Sequence, residues 1–191
     1  MIFQNACCKR RCKCSNFWKK MYSFSQHIAI VLLPLLLSNV LHMIIIKTAI
    51  FSTIKRPISQ KLFGSNKTWR GFLVVSLVNG LLLYVINLCC SFYLSKAFLL
   101  GVVLGFSYML FELPNSYMKR RLGIASGAKA RKNSFLFMLI DKTDSAFGVN
   151  LVYFLLGFIT FPDALLLFAI SSSLHIGMSY LLVQLHLKKS F

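Results

Sequence analysis

Apolar residues fall in long runs along this chain, and charged residues gather between the runs. Five runs approach the length of a membrane crossing: Ile28–Ile46, Phe72–Tyr93, Ala97–Met118, Asp141–Phe161 and Ala164–Leu185. A helix needs about 20 residues to cross roughly 30 Å of hydrocarbon. The pattern predicts an all-α, polytopic membrane protein with about five transmembrane helices. The first run is too long for the core of a cleavable signal peptide and has no small-residue cut site, so it is expected to be retained. No internal repeat or second globular domain is visible. The expected organisation is a basic tail over 1–26 and a helical body over 27–191, with polar loops at 47–71 and 119–140.

Composition strengthens this picture. Residues of the AVILMFWYC set make up 57% of the chain, which carries a formal charge of +18. Its mean hydropathy is +0.69. Soluble domains of this size are rarely so apolar. The 22 Lys and Arg residues are clustered. Placing both large loops and the C-terminus in the cytoplasm puts 15 basic residues inside and 7 outside. The positive-inside rule favours that orientation. It leaves the tail, with Lys9, Arg10, Arg11, Lys13, Lys19 and Lys20, on the opposite side, as an exception to the rule, unless the helix count differs by one or translation begins near Met21.

The tail contains "CCKRRCKC", but Cys7, Cys8, Cys12 and Cys14 lack the paired spacing of a zinc site. It reads as a disordered basic tail, with metal binding or lipidation as the alternatives. Cys89 and Cys90 lie in an apolar run and are expected to be packing residues.

Only four residues are acidic: Glu112, Asp141, Asp144 and Asp163. Asp163 follows Pro162 in "FPDA" and is expected to cap the last helix. The other three lie beside hydrocarbon, where an ionised carboxylate is costly unless it is paired or lines a wet cavity. Asp141 and Asp144 are three apart and share a helix face. With Glu112 from the neighbouring helix they would form a hard-oxygen site of the kind Mg²⁺ takes alongside phosphate oxygens. Ion pairing with nearby Lys and Arg is the plainer alternative.

Two basic segments could hold phosphate. In "LFGSNKTWRGF" (62–72), turn-forming Gly64, Ser65 and Asn66 precede Lys67, Thr68 and Arg70 at the start of a helix. A helix N-terminus suits an anion, Arg can fork two phosphate oxygens, and Lys supplies a point charge. Trp69 is expected to be an interfacial anchor. The second segment is "NSYMKRRLGIASGAKARKN" (115–133). Lys and Arg next to a span also attract anionic lipid headgroups without any chemistry.

Together "LFGSNKTWRGF", "FELPNSYMKRRLGIASG" and "DKTDSAFG" resemble, in order and spacing, the motifs of the CDP-archaeol synthase family, short relatives of the CTP:phosphatidate cytidylyltransferases. Gly64, Lys67, Thr68, Trp69, Arg70 and Gly71 match the first motif. Ser116, Lys119, Arg120, Arg121 and Gly123 match the second, although its Gly-Asp pair is Phe111–Glu112 here. Asp141, Asp144 and Gly148 match the third. Pro114 is expected to kink or break its helix.

The resemblance implies a cytidylyltransferase that joins CTP to a lipid phosphate, giving CDP-lipid and pyrophosphate, with Mg²⁺ as cofactor. It implies Glu112, Asp141 and Asp144 as metal ligands, and Lys119 and Arg120, with Asp141 and Asp144, as catalytic. Lys67, Thr68, Arg70, Gly71, Ser116 and Arg121 would bind substrate. Which basic block holds which anion is left open. The expected partners are CTP, a lipid phosphate and membrane lipids, with no nucleic acid. His27, His42, His175 and His186 fall outside the motifs and read as packing or interfacial residues. Two other classes fit part of the pattern. A catalytically inactive relative that binds anionic lipid would show no Mg²⁺-dependent CTP binding. A small transporter is suggested by Asn79, Asn87 and Ser171–Ser173, but helix packing accounts for such residues.

Overall fold

The computed structural model describes residues 22–48, 56–124 and 134–185, without the side chains of 134–138, 142 and 182. The Cys-rich segment, Lys129, Arg131, Lys132 and His186 lie outside the described residues. The elements are α1 (Phe24–Lys47), the short α2 (Gln60–Phe63), α3 (Trp69–Cys90), α4 (Ala97–Arg121), α5 (Ser134–Leu155) and α6 (Phe161–Gln184).

The long helices close a ring in which α3 lies between α1 and α4, α5 between α4 and α6, and α6 returns to α1. Ile30, Val31, Val75, Leu83, Leu104, Val149, Tyr153 and Leu167 fill the interior. The outer face carries exposed Leu73, Leu77, Leu81, Leu88, Leu165 and Leu166. So much apolar surface turned outward fits a lipid solvent rather than water. The tightest seam joins α3 to α4. A Cβ on Gly101 would come within 2.7 Å of the Asn79 carbonyl, and one on Gly105 within 2.9 Å of the Ser76 backbone. Small residues let the two backbones approach this closely. Asn79 uses that proximity to donate to the Gly101 carbonyl at 2.6 Å.

Four of these helices are long and apolar enough to cross a membrane: α1, α3, α4 and α6. The expected fourth run, Asp141–Phe161, is displaced: α5 begins at Ser134 and ends at Leu155. Asp141, Lys142 and Asp144 therefore lie inside a 22-residue helix rather than at its mouth. Gly157, with φ +77°, turns the chain after α5.

Asp163 does not cap α6. Thr160 occupies the cap position with Pro162 behind it, and Asp163 sits in the first turn. There its carboxylate accepts a hydrogen bond from Thr160 Oγ1 at 2.7 Å, and its charge complements the helix N-terminus. Pro114 does not break α4, which runs on to Arg121. Cys89 and Cys90 face outward as free thiols rather than packing inside. Chain direction brings the loop before α3, the end of α4 and the first half of α5 to one end of the bundle. The turns after α3 and α5 lie at the other end.

Candidate active site

The first motif is a hairpin that presents cations to the end of α4. Ile58 N–H donates to the Lys67 carbonyl at 2.9 Å, and Trp69 N–H to the Arg56 carbonyl at 3.1 Å. Ser59 caps α2 by accepting from Leu62 N–H at 3.3 Å. Gly64, at φ +84°, then reverses the chain in a conformation that favours glycine. Thr68 caps α3, accepting from Gly71 N–H at 3.4 Å. Trp69 is exposed at the first position of α3, as an interfacial anchor would be, and Arg70 is buried just behind it. Gly71 leaves room for Met109 and His42; a Cβ there would stand 2.9 Å from Met109 Cε and 3.4 Å from His42 Nε2.

Lys67 forms an ion pair with Glu112. Burial works against the ammonium, but Glu112, reinforced by Asp144 and Asp141, more than offsets it and holds the Lys67 pKa above its ordinary value. The two side chains are about one-fifth exposed, so the pair lies at the margin of the interior.

One turn further along α4, Asn115 gathers the acids of α5. Its Nδ2 donates to Asp141 Oδ1 at 2.5 Å and to Asp144 Oδ2 at 3.0 Å. Asp144 Oδ1 also accepts from Ser145 N–H at 2.6 Å. Lys119 pairs with the second oxygen of Asp141. Ser116 donates to the Glu112 carbonyl at 3.0 Å, and Arg120 donates to the Ile124 carbonyl. Arg121 turns outward to Tyr117, donating to its hydroxyl at 2.8 Å and lying over its ring.

Asp141 and Asp144 thus form a two-carboxylate face closed by a neutral amide. Glu112 is near enough to act on Asp144 electrostatically but is bound to Lys67. Among the described residues no group of three or more His, Cys, Asp and Glu side chains stands close enough to hold a metal ion. The donor set still fits Mg²⁺, which commonly uses one or two carboxylates plus phosphate oxygens. Beside this cluster an open apolar groove of about 430 Å³ runs between Leu62–Phe63 and Leu110, Phe111, Leu113 and Pro114. The Phe111 ring seats directly on Gly148; a side chain at 148 would overlap it. The motif glycine therefore sets how closely α5 approaches α4.

A family model described as CarS-like, CDP-archaeol synthase, matches residues 27–191. The chain belongs to the CDP-archaeol synthase family. Three relatives carry the name CDP-archaeol synthase. The one from Staphylothermus marinus is 35% identical over 109 residues, covering 54% of this chain and 55% of the relative. The one from Thermococcus gammatolerans is 32% identical over 96 residues, covering 49% and 56%. The one from Thermococcus onnurineus is 33% identical over 96 residues, covering 48% and 55%. The chain spans about half the length of the curated relatives it matches. No solved structure matches it.

The site also contains residues outside the CDP-archaeol synthase motifs. Asn115 stood in the sequence only as the first residue of the second basic segment. His42 and His175, read from the sequence as packing or interfacial residues, both act electrostatically on Glu112. His175 Nε2 is 2.7 Å from the Tyr108 hydroxyl. Nothing in local sequence pairs residues 67 positions apart. The available signal was a histidine and a tyrosine placed inside apolar runs, where polar atoms require partners.

Proposed function

We propose that the chain transfers the cytidylyl group of CTP to a lipid phosphate at the membrane surface. The observation that carries this reading is the meeting of Lys67, Glu112, Lys119, Asp141 and Asp144 around Asn115. A lipid phosphate oxygen attacks the α-phosphorus of CTP. The bond from that phosphorus to the oxygen bridging to the β-phosphate breaks, and pyrophosphate leaves with the electron pair. The attacking oxygen is already ionised near neutrality, so no strong general base is needed.

The protein's task is positioning and charge neutralisation. Asp141 and Asp144 are the residues that would hold Mg²⁺, and Glu112 would join them only by leaving Lys67. That ion would supply electrophilic stabilisation of the phosphate oxygens. Lys119 and Arg120 on one side, and Lys67 and Arg70 on the other, hold the two anionic substrates. Thr68 accepts from Gly71 and retains its own O–H to donate to a phosphate oxygen. Ser116 can do the same by turning from the Glu112 carbonyl, and Arg121 lies at the rim. The apolar groove beside Phe111 seats part of the lipid chain, and the family name suggests an isoprenoid ether lipid for it. The site faces the cytoplasm, where CTP is dissolved and where the basic loops belong.

Purified protein supplied with labelled CTP, Mg²⁺ and a panel of lipid phosphates should yield CDP-lipid and pyrophosphate in equal amounts. Absence of product with every lipid, together with absence of Mg²⁺-dependent CTP binding, would replace this reading with a lipid-binding protein.

A further inference from the structure

Tyr108 lies one helical turn before Glu112 on α4, so both side chains share a face. The Tyr108 residue is buried. Its hydroxyl meets His175 of α6, and its surroundings include Glu112, Ser145 and Asp144. The Tyr108 and His175 rings meet edge to face at 5.6 Å. α4 and α6 are not packed side by side; α5 separates them. This contact therefore reaches past α5 and ties the last helix to the acid cluster. Ser145, next to Asp144, is wholly buried at the same spot.

We propose that His175 and Tyr108 are a positioning pair that braces the acid cluster from the membrane-interior side. His175 Nε2–H donates to the Tyr108 oxygen, which leaves the Tyr108 O–H for the Glu112 carboxylate. Ser145 Oγ completes the contact beside Asp144. Glu112 is then held by Lys67 from the loop side and by Tyr108 from the bundle side. Asp144 stays aimed at the site because its neighbour is locked. This rests on the reading of Asp141 and Asp144 as cation ligands.

The opposite end of the bundle provides a matched control. His27 Nδ1 is 2.9 Å from the Tyr153 hydroxyl, the same two groups at the end that carries Asp163 and not the Glu112, Asp141 and Asp144 cluster. His175→Phe and Tyr108→Phe should each weaken Mn²⁺ binding, measured by electron paramagnetic resonance, and lower kcat by about 10- to 100-fold. His175→Gln, which keeps an N–H near the position of Nε2, should recover most of both. His27→Phe should lower the melting temperature and leave Mn²⁺ affinity and kcat in place. The inference is overturned if the wild type binds no Mn²⁺, if all variants bind it equally, or if His27→Phe loses as much affinity as His175→Phe. A wild type that binds Mn²⁺ but makes no CDP-lipid would refute the proposed reaction alone, and the Mn²⁺ series would still decide the role of the pair.

Discussion

The two ends of this bundle solve the same problem differently. At the end away from the motifs, polar groups are matched neatly. His27 meets Tyr153, Tyr153 stacks on Phe158 at 5.3 Å, and Asn87 exchanges two hydrogen bonds with the Leu94 backbone. Asp163, the one acid there, serves Thr160 in the first turn of α6. At the motif end three carboxylates and two lysines crowd together, and a neutral amide shares itself between two of the acids. Folding alone does not require this. Ion pairs taken out of water often contribute no more stability than apolar residues of the same volume. The contrast separates an acid with a structural partner from acids whose cost calls for another explanation, which the proposed site supplies.

The sharpest test of that contrast is Asp144→Asn, or equally Asp141→Asn. Turnover should fall about 10³-fold, the scale of losing one preorganised charge-stabilising group. Insertion and melting temperature should hardly change. Wild-type turnover in both variants would reduce the motif end to the structural status of the other.

Lys67→Met comes next. It should lower stability by about 2 kcal/mol, between the values for exposed and buried pairs, by leaving Glu112 without its partner. The double variant Lys67→Met/Glu112→Gln should regain stability in denaturant melts without regaining turnover. Recovery of both would make the pair a purely structural feature.

Gly148→Ala should cost about 1–3 kcal/mol by overpacking against Phe111, and Phe111→Ala in the same chain should relieve it. A double-mutant cycle on thermal melts measures the coupling. The smallest effect is expected at the far end. Asp163→Asn should lower stability by about 0.5 kcal/mol, the worth of a carboxylate in a helix's first turn, with kcat unchanged.

Much of the architecture was legible because hydrocarbon runs are a strong local signal. Ile28–Ile46, Phe72–Tyr93 and Ala97–Met118 lie within or nearly within α1, α3 and α4. The run beginning at Asp141 failed for a physical reason. Charge was taken to end a span, whereas Ser134–Ile140 continues the same helix ahead of the acids. The helix backbone needs only its own hydrogen bonds, and neighbours can accommodate the charges inside it. The acids and lysines of the site were legible as rare or clustered charges. Their pairings were not, because which lysine finds Glu112 depends on a hairpin pinned by backbone bonds between 56–58 and 67–69. Asn115 and His175 were illegible for the same reason: their importance lies in what other helices bring to them.

The amide of Asn115 has one last consequence. A cation settling between Asp141 and Asp144 must take the place of its two hydrogen bonds, each charge-assisted and worth about 1.5–3 kcal/mol. That displacement sets an admission threshold. On the proposed reading, a monovalent ion would repay less of that loss than a small doubly charged ion arriving with a nucleotide's phosphates. The side chain that holds the two acids together would then also act as a latch, released when a cation takes over its bonds.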